Sequence, residues 1–282
     1  DDKIRFIDLL SAAGVAEIEV SSFVSPKWVP QLADAAEVFE GIARRQGIVY
    51  SALVPNERGM QRALEIHSSG QLDKIAVFTA ASETFSKRNT NASIVETLQR
   101  FEPVINLARQ HDLPVRAYIS CAVECPYEGA IVPSKVREVV RQLLDLGLDA
   151  NRDDIDLGDT IGVAAPTDIE RLYDGLDGAL QPSQTTLHLH DTRGTALACA
   201  TRAMQLGVRR FDCSCTGLGG CPYAPGAAGN LASEDLVYMC NRMGAETGVD
   251  LSALIEAGRH IAGVLGRPGT GLHPLRGQNN VQ

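Results

Sequence analysis

Strand-like and helix-like segments alternate along this chain with a regularity that leaves few folds open. Runs that are apolar or alternate apolar with polar residues read as strands at 16–20, 48–54, 74–79, 115–120, 154–157, 185–190 and 208–213. Between them lie runs with apolar residues at helical spacing, at 56–69, 92–111, 134–146, 167–180 and 194–206, several stopped by glycine. Another helix opens the chain at 3–13, and two more follow the last strand, at 233–243 and 251–265. Strand then helix, repeated, predicts parallel strands joined by right-handed crossovers. No internal repeat or interior linker interrupts the pattern. A single domain over 1–282 is expected, ending in a flexible tail at 267–282 that is rich in Gly, Pro and Asn.

A closed (β/α)8 TIM barrel needs eight strands, and seven are read here, with no strand ahead of the opening helix. The expected fold is therefore an α/β (β/α)8 TIM barrel whose first strand is absent from this sequence. The gap should fall between the strands at 16–20 and 208–213. An open doubly wound sheet is the other arrangement, but no Gly-x-Gly-x-x-Gly turn follows a strand to support it.

Composition narrows the function. With 282 residues, 44% of them hydrophobic, the chain can bury a sizeable core. No run of eighteen apolar residues appears, so no membrane span is expected. A net charge of −9 argues against a general nucleic-acid binder, though an anionic ligand needs only local positive charge. Seven scattered cysteines without a Cys-x-x-Cys knuckle suggest neither a disulfide framework nor a thiolate zinc site, and point to a reducing compartment. Trp28, the only tryptophan, is expected to anchor the loop after the first strand by packing.

In a barrel the C-terminal strand ends form the catalytic face. Glu19, Ser21, Ser51, Thr79, Ser120, Asp156, Asp159, His188, His190 and Ser214 all fall there. Glu19 would be a costly carboxylate at the end of a buried strand unless it meets a cation or a ligand. Asp159 either caps the next turn or orients a substrate. Asp191 is expected to cap or to orient a histidine. His188 and His190, two apart on a strand, share one face, roughly 7 Å apart along the chain. They read either as ligands of one metal ion or as hydrogen-bonded histidines in a polar interior. The stretch 217–230 has five glycines and two prolines and reads as a loop, with Cys221 in its middle. A cysteine on such a loop is exposed and can react. Asn230 ends it, either as a helix N-cap or as a neutral oxygen ligand for a metal.

These residues resemble 3-hydroxy-3-methylglutaryl-CoA lyase. The likeness is carried by His188-Leu-His190-Asp-Thr, Gly217-Leu-Gly-Gly-Cys221-Pro-Tyr-Ala and Gly229-Asn230-Leu-Ala-Ser-Glu-Asp-Leu-Val-Tyr. Upstream it continues in Glu19-Val-Ser-Ser-Phe-Val-Ser-Pro-Lys-Trp-Val-Pro-Gln, Ala81-Ser-Glu, Cys125-Pro-Tyr-Glu-Gly and Leu157-Gly-Asp159-Thr-Ile-Gly. The cysteine loop is its most specific part; His-x-His is shared across metal-dependent aldolases and acyl-CoA synthases.

The resemblance implies metal-assisted retro-Claisen cleavage of the acyl-CoA to acetyl-CoA and acetoacetate. It implies His188, His190 and Asn230 as metal ligands, Cys221 and His188 as catalytic residues, and Glu19 and Asp159 as substrate contacts. Mg²⁺ or Mn²⁺ suits that donor set better than Zn²⁺. The expected partner is a small acyl-CoA, with no nucleic acid and no membrane; a homodimer in the cytoplasm, or alternatively in the mitochondrial matrix, is expected. The family's first strand carries an Arg-Asp pair, which is expected upstream of Asp1. Arg193 stands where the family more often has an aromatic residue, which bears on the acyl group. Alkylmalate and homocitrate synthases are the other enzyme reading, and lack the cysteine loop. A barrel that binds acyl-CoA or metal without turnover is the non-enzyme reading.

Overall fold

The structure, a computed structural model, describes residues 1–220 and 229–266. Four parallel strands come first: β1 (Glu17–Ser22), β2 (Val49–Leu53), β3 (Lys74–Ala80) and β4 (Val115–Ser120). A two-residue hairpin follows, β5 (Glu124–Cys125) with β6 (Gly129–Ala130). The sheet resumes with β7 (Asp154–Asp159), β8 (Thr185–Leu189) and β9 (Arg210–Asp212). Its order is β1-β2-β3-β4-β7-β8-β9, parallel throughout.

The sheet curls. Arg116 on β4 reaches Glu17 on β1 and Asp212 on β9, which a flat sheet of seven strands would keep far apart. Among the described residues β1 and β9 do not pair with each other, so the barrel is open there, where the sequence put the gap.

Helices α1 (Asp2–Ala12), α2 (Ala35–Gly41), α3 (Glu57–Ser68), α4 (Glu83–Thr90) and α5 (Ile94–Gln110) belong to the first half. The second half adds α6 (Pro133–Asp145), α7 (Pro166–Gly175), α8 (Ala196–Leu206), α9 (Ser233–Arg242) and α10 (Leu251–Leu265). Their starts follow from local chemistry. Asn56 accepts the Gly59 amide at 3.0 Å, Ser93 and Glu96 form a capping box, and Asp250 accepts the Ser252 amide at 2.8 Å. Pro133 and Pro166 sit in first turns, where no amide is missed.

The two faces of each strand differ in kind. Outward residues such as Ile75, Val77, Ile119, Ile155 and Leu187 are buried in one continuous apolar core with the helices. Lys74, Arg116, Asp154, Asp156, His188 and Asp212, on the alternate positions, meet one another inside the barrel. Most barrels of this kind fill the interior with branched apolar side chains; this one fills it with charge.

Three sequence expectations need correction. Trp28 is 82% exposed and anchors nothing; the packing there comes from Phe23 stacked on Phe39 with ring centroids 6.1 Å apart. α2 and α4 were not expected. The first is seven residues long, too short to show a period, and the second buries only Phe85 and Ser86. Finally, α9 begins at Ser233 with Ala232 as its cap residue, so Asn230 does not cap it.

Candidate functional site

The site grows from β8 and from the segment that returns to it. His188 lies on β8 and His190 just beyond, their rings 5.2 Å apart between centroids. The chain comes back at Gly229–Leu231 and adds an antiparallel bridge, His190 opposite Asn230. Two backbone bonds fix it, Asp191 N to Gly229 O at 3.1 Å and Leu231 N to Leu189 O at 2.8 Å. The approach is close: a Cβ on Gly229 would overlap the Gly217 carbonyl. Gly162, at φ +65°, lets the turn after β7 pass under His190, where a Cβ would come within 2.8 Å of the histidine's carbonyl. Glu234 holds the outgoing strand end, accepting the amide of Thr216 at 2.8 Å. That residue has φ +57°, a conformation a β-branched side chain adopts only when its surroundings enforce it.

Asn230 donates Nδ2 to the Leu218 carbonyl at 2.7 Å. That bond fixes which way the amide points and leaves a buried Oδ1 with no hydrogen-bond partner among the described residues. Asp156 is wholly buried, and its carboxyl meets that of Asp212 rather than any N–H or hydroxyl donor among the described residues. Ligand atoms of Asp156, His188 and Asp212 all lie within 4.8 Å of one another. His190 is 6% exposed.

Electrostatics explain how such a cluster is tolerated. Burial opposes ionisation of Asp212, but Arg116, 2.7 Å away, and then His188 outweigh it and hold the carboxyl well below its usual range. Burial and then the neighbouring Asp212 push Asp156 well above its usual range. Glu19, across the lumen, accepts the Tyr118 hydroxyl at 3.0 Å. Burial among protein atoms, and then Asp212, push it from 4.5 up to about 7, with Tyr118 and Arg116 opposing. Its side chain is still reached by solvent, which moderates the push. Beneath these groups Lys74 bridges Glu17 at 2.7 Å and Asp154 at 2.6 Å, and Arg210 pairs with Asp154. Three cations (Lys74, Arg116, Arg210) thus share the lumen with five carboxylates (Glu17, Glu19, Asp154, Asp156, Asp212). The surplus of two negative charges matches one divalent cation, or the two protons that Glu19 and Asp156 are disposed to keep.

This donor set fits a divalent ion. An amide oxygen, imidazoles and carboxylates, with no thiolate among the described residues, suit Mg²⁺ or Mn²⁺. Of the residues expected from sequence, His188, His190 and Asn230 gather around the end of β8. Glu19 joins them through Tyr118 and Arg116. Asp159 ends β7, but its carboxylate accepts the amides of Val163 at 3.3 Å and Ala164 at 2.9 Å. Asp191 accepts the Ala196 amide at 2.9 Å, at the start of α8. Cys221 lies outside the described residues. Sequence reasoning missed Asp212, Arg116 and Tyr118. Their signal was charged or polar residues two apart in strands that helices cover: Arg116 with Tyr118, and Arg210 with Asp212.

Known proteins resemble this chain along most of its length. The HMGL-like family profile matches residues 1–261. A Pseudomonas aeruginosa protein named 3-hydroxy-3-isohexenylglutaryl-CoA/hydroxy-methylglutaryl-CoA lyase is 50% identical over 94% of this chain and 86% of its own. The cytoplasmic 3-hydroxy-3-methylglutaryl-CoA lyase of Rattus norvegicus is 49% identical over 93% of this chain and 74% of its own. Among solved structures, a hydroxymethylglutaryl-CoA lyase from Pseudomonas aeruginosa superposes with TM-score 0.90 at 48% identity, covering 96% of this chain and 87% of that one. An HMG-CoA lyase from Acinetobacter baumannii, in complex with coenzyme A and 3-methylmalate, gives TM-score 0.87 at 36% identity, over 97% and 90%. Half-barrel, polar lumen and relatives converge, and the chain belongs to the HMGL-like family, that of the HMG-CoA lyases.

Proposed function

We propose that this protein is a carbon–carbon lyase that splits 3-hydroxy-3-methylglutaryl-CoA into acetyl-CoA and acetoacetate. The observation that carries the reading is the buried Oδ1 of Asn230, without a hydrogen-bond partner among the described residues, on a residue whose backbone pairs with His190 at the barrel mouth, in a chain of this family. His188, His190 and Asn230 would hold a divalent cation. When bound, such an ion polarises substrate oxygens and lowers the pKa of the tertiary hydroxyl.

The residues of the chain do the rest. The hydroxyl passes its proton to a carboxylate or imidazole of the site, the O–H electrons form the ketone of acetoacetate, and the breaking C–C bond leaves its pair on the carbon α to the thioester carbonyl, as the enolate of acetyl-CoA. That carbon takes a proton to become the acetyl methyl group. Cys221 is assigned to this proton. Glu19, pushed up to about 7, can donate a hydrogen bond to a substrate oxygen at neutral pH. Asp159 shapes the loop after β7 through the two amides it accepts, and contacts substrate from there. His188 has one ring nitrogen for the ion and the other facing Asp212.

The test is a cleavage assay with the purified protein, Mg²⁺ and 3-hydroxy-3-methylglutaryl-CoA. Acetoacetate release is expected; intact thioester would reject the reading. The 3-hydroxy-3-isohexenyl homologue, run alongside, decides the acyl group. Cys221→Ser should lose most turnover and keep metal; unchanged turnover would remove the cysteine from the chemistry. No helix among the described residues is long and apolar enough to cross a membrane. A homodimer, checked by sedimentation velocity, and a cytoplasmic location belong to this same reading; relatives carry both cytoplasmic and mitochondrial names.

A further inference from the structure

Arg116 stands on β4 inside the barrel, 7% exposed. One guanidinium nitrogen donates to Asp212 Oδ1 at 2.7 Å and to the Tyr118 hydroxyl at 3.4 Å. The other reaches Glu17 Oε2 at 3.3 Å and Asp154 Oδ2 at 3.4 Å. One planar fork therefore touches β1, β4, β7 and β9, which a single ammonium point charge could not do.

Two branches leave this arginine toward the site. In the first, Asp212 presents its other oxygen, Oδ2, 3.5 Å from His188 Nδ1. In the second, the Tyr118 hydroxyl accepts from Arg116 and donates to Glu19 Oε2 at 3.0 Å. We propose that Arg116 is the positioning residue for both halves of the site, presenting His188 through Asp212 and Glu19 through Tyr118. The inference rests on the reading of His188 as a metal ligand and Glu19 as a substrate contact.

The physical case for the first branch is tautomeric. A ligating imidazole must offer a lone pair from one nitrogen, so its proton belongs on the other. A carboxylate beside Nδ1 keeps the proton there and turns Nε2 outward. Arg116 donates to Asp212 Oδ1 at 2.7 Å, and that bond fixes the carboxylate with Oδ2 turned toward the ring. At 3.5 Å from Nδ1, Asp212 Oδ2 is the carboxylate oxygen that faces this ring nitrogen. The second branch is simpler. Glu19 is held by one hydroxyl donor, and that hydroxyl is itself placed by Arg116.

A merely structural role for these residues would weaken the fold without separating the branches. Arg116→Lys is the obvious variant, but it strands several buried carboxylates and risks unfolding. Asp212→Asn and Tyr118→Phe preserve shape and cut one branch each. Two readouts are needed: Mn²⁺ affinity by electron paramagnetic resonance titration, and KM and kcat at saturating metal. Asp212→Asn should weaken Mn²⁺ by about 10–100-fold. Tyr118→Phe should leave Mn²⁺ affinity as in the wild type and raise KM several-fold. Wild-type Mn²⁺ affinity in Asp212→Asn, Mn²⁺ loss in Tyr118→Phe equal to that in Asp212→Asn, or unchanged KM in Tyr118→Phe would each overturn the inference. His190→Ala is the control: if it binds Mn²⁺ normally, the metal reading has failed rather than the role of Asp212.

Discussion

Two layers of one barrel lumen can be set against each other. In the lower layer Glu17 and Asp154 face Lys74, Arg116 and Arg210, and both carboxylates touch more than one cation. In the upper layer Glu19, Asp156 and Asp212 have only Arg116 as a shared cation among the described residues; Asp156 meets another carboxyl, that of Asp212, and Asn230 Oδ1 has no hydrogen-bond partner among the described residues. Both layers are built by strands that alternate outward apolar and inward polar residues, so folding treats them alike. The difference is charge balance: each layer keeps an orphaned acceptor, Glu17 Oε1 below and Asn230 Oδ1 above, but only the lower layer has a cation for every carboxylate. A buried layer neutralised by its own chain serves the fold. A buried layer with more carboxylates than cations is costly, and is explained by something the chain does not itself supply.

The sharpest way to break this comparison is to remove one carboxylate from each layer. Asp154, 3% exposed, anchors Lys74, Arg116 and Arg210. Asp154→Ala leaves buried Arg116, half-buried Lys74 and the more exposed Arg210 each short of a partner, and should cost about 3–5 kcal/mol in urea unfolding. Asp156→Asn in the upper layer should do the opposite. It removes a carboxylate with no cation of its own, so the metal-free protein should hold its stability or gain on the order of 1 kcal/mol. A loss in Asp156→Asn as large as that in Asp154→Ala would erase the distinction between the layers.

How much of this was legible follows from the same alternation. The parallel barrel, the open side and the His188–His190 pair could be read because periodicity and short motifs are local. Asn230 was left between a cap and a ligand; only the start of α9 at Ser233 and the bridge to His190 separate the two. Asp212 and Arg116 are 96 residues apart in sequence, and nothing local announces their 2.7 Å contact. What could have been noticed is the class. Glu17/Glu19, Arg116/Tyr118, Asp154/Asp156 and Arg210/Asp212 are polar pairs two apart on strands whose other face must pack on helices, so all eight point into the lumen. Which acid meets which base depends on register and curl, and these are properties of the closed sheet rather than of any one strand.

The smallest effect concerns Glu19, and it separates the layers by pH. A carboxyl held above its unfolded value favours the folded state in its protonated form. The stability it contributes is fully present below about 4.5 and is lost as pH rises through about 7. Asp212 and Asp154 have the reverse sign. Held below their ordinary 3.8, they contribute stability that is present above that value and lost only in stronger acid. The windows do not overlap, so a decline between pH 4.5 and 7 cannot come from the carboxylates that cations hold down. Asp156 shares the sign of Glu19, and the difference between wild type and variant isolates Glu19. In chelator-treated protein, Glu19→Gln should flatten part of the wild-type decline across that window, by an amount reduced because solvent reaches the side chain. Urea midpoints at several pH values measure it. Parallel wild-type and Glu19→Gln curves would mean that Glu19 is ionised throughout, and that Tyr118 and Arg116 hold it as firmly as the lower layer holds its own acids.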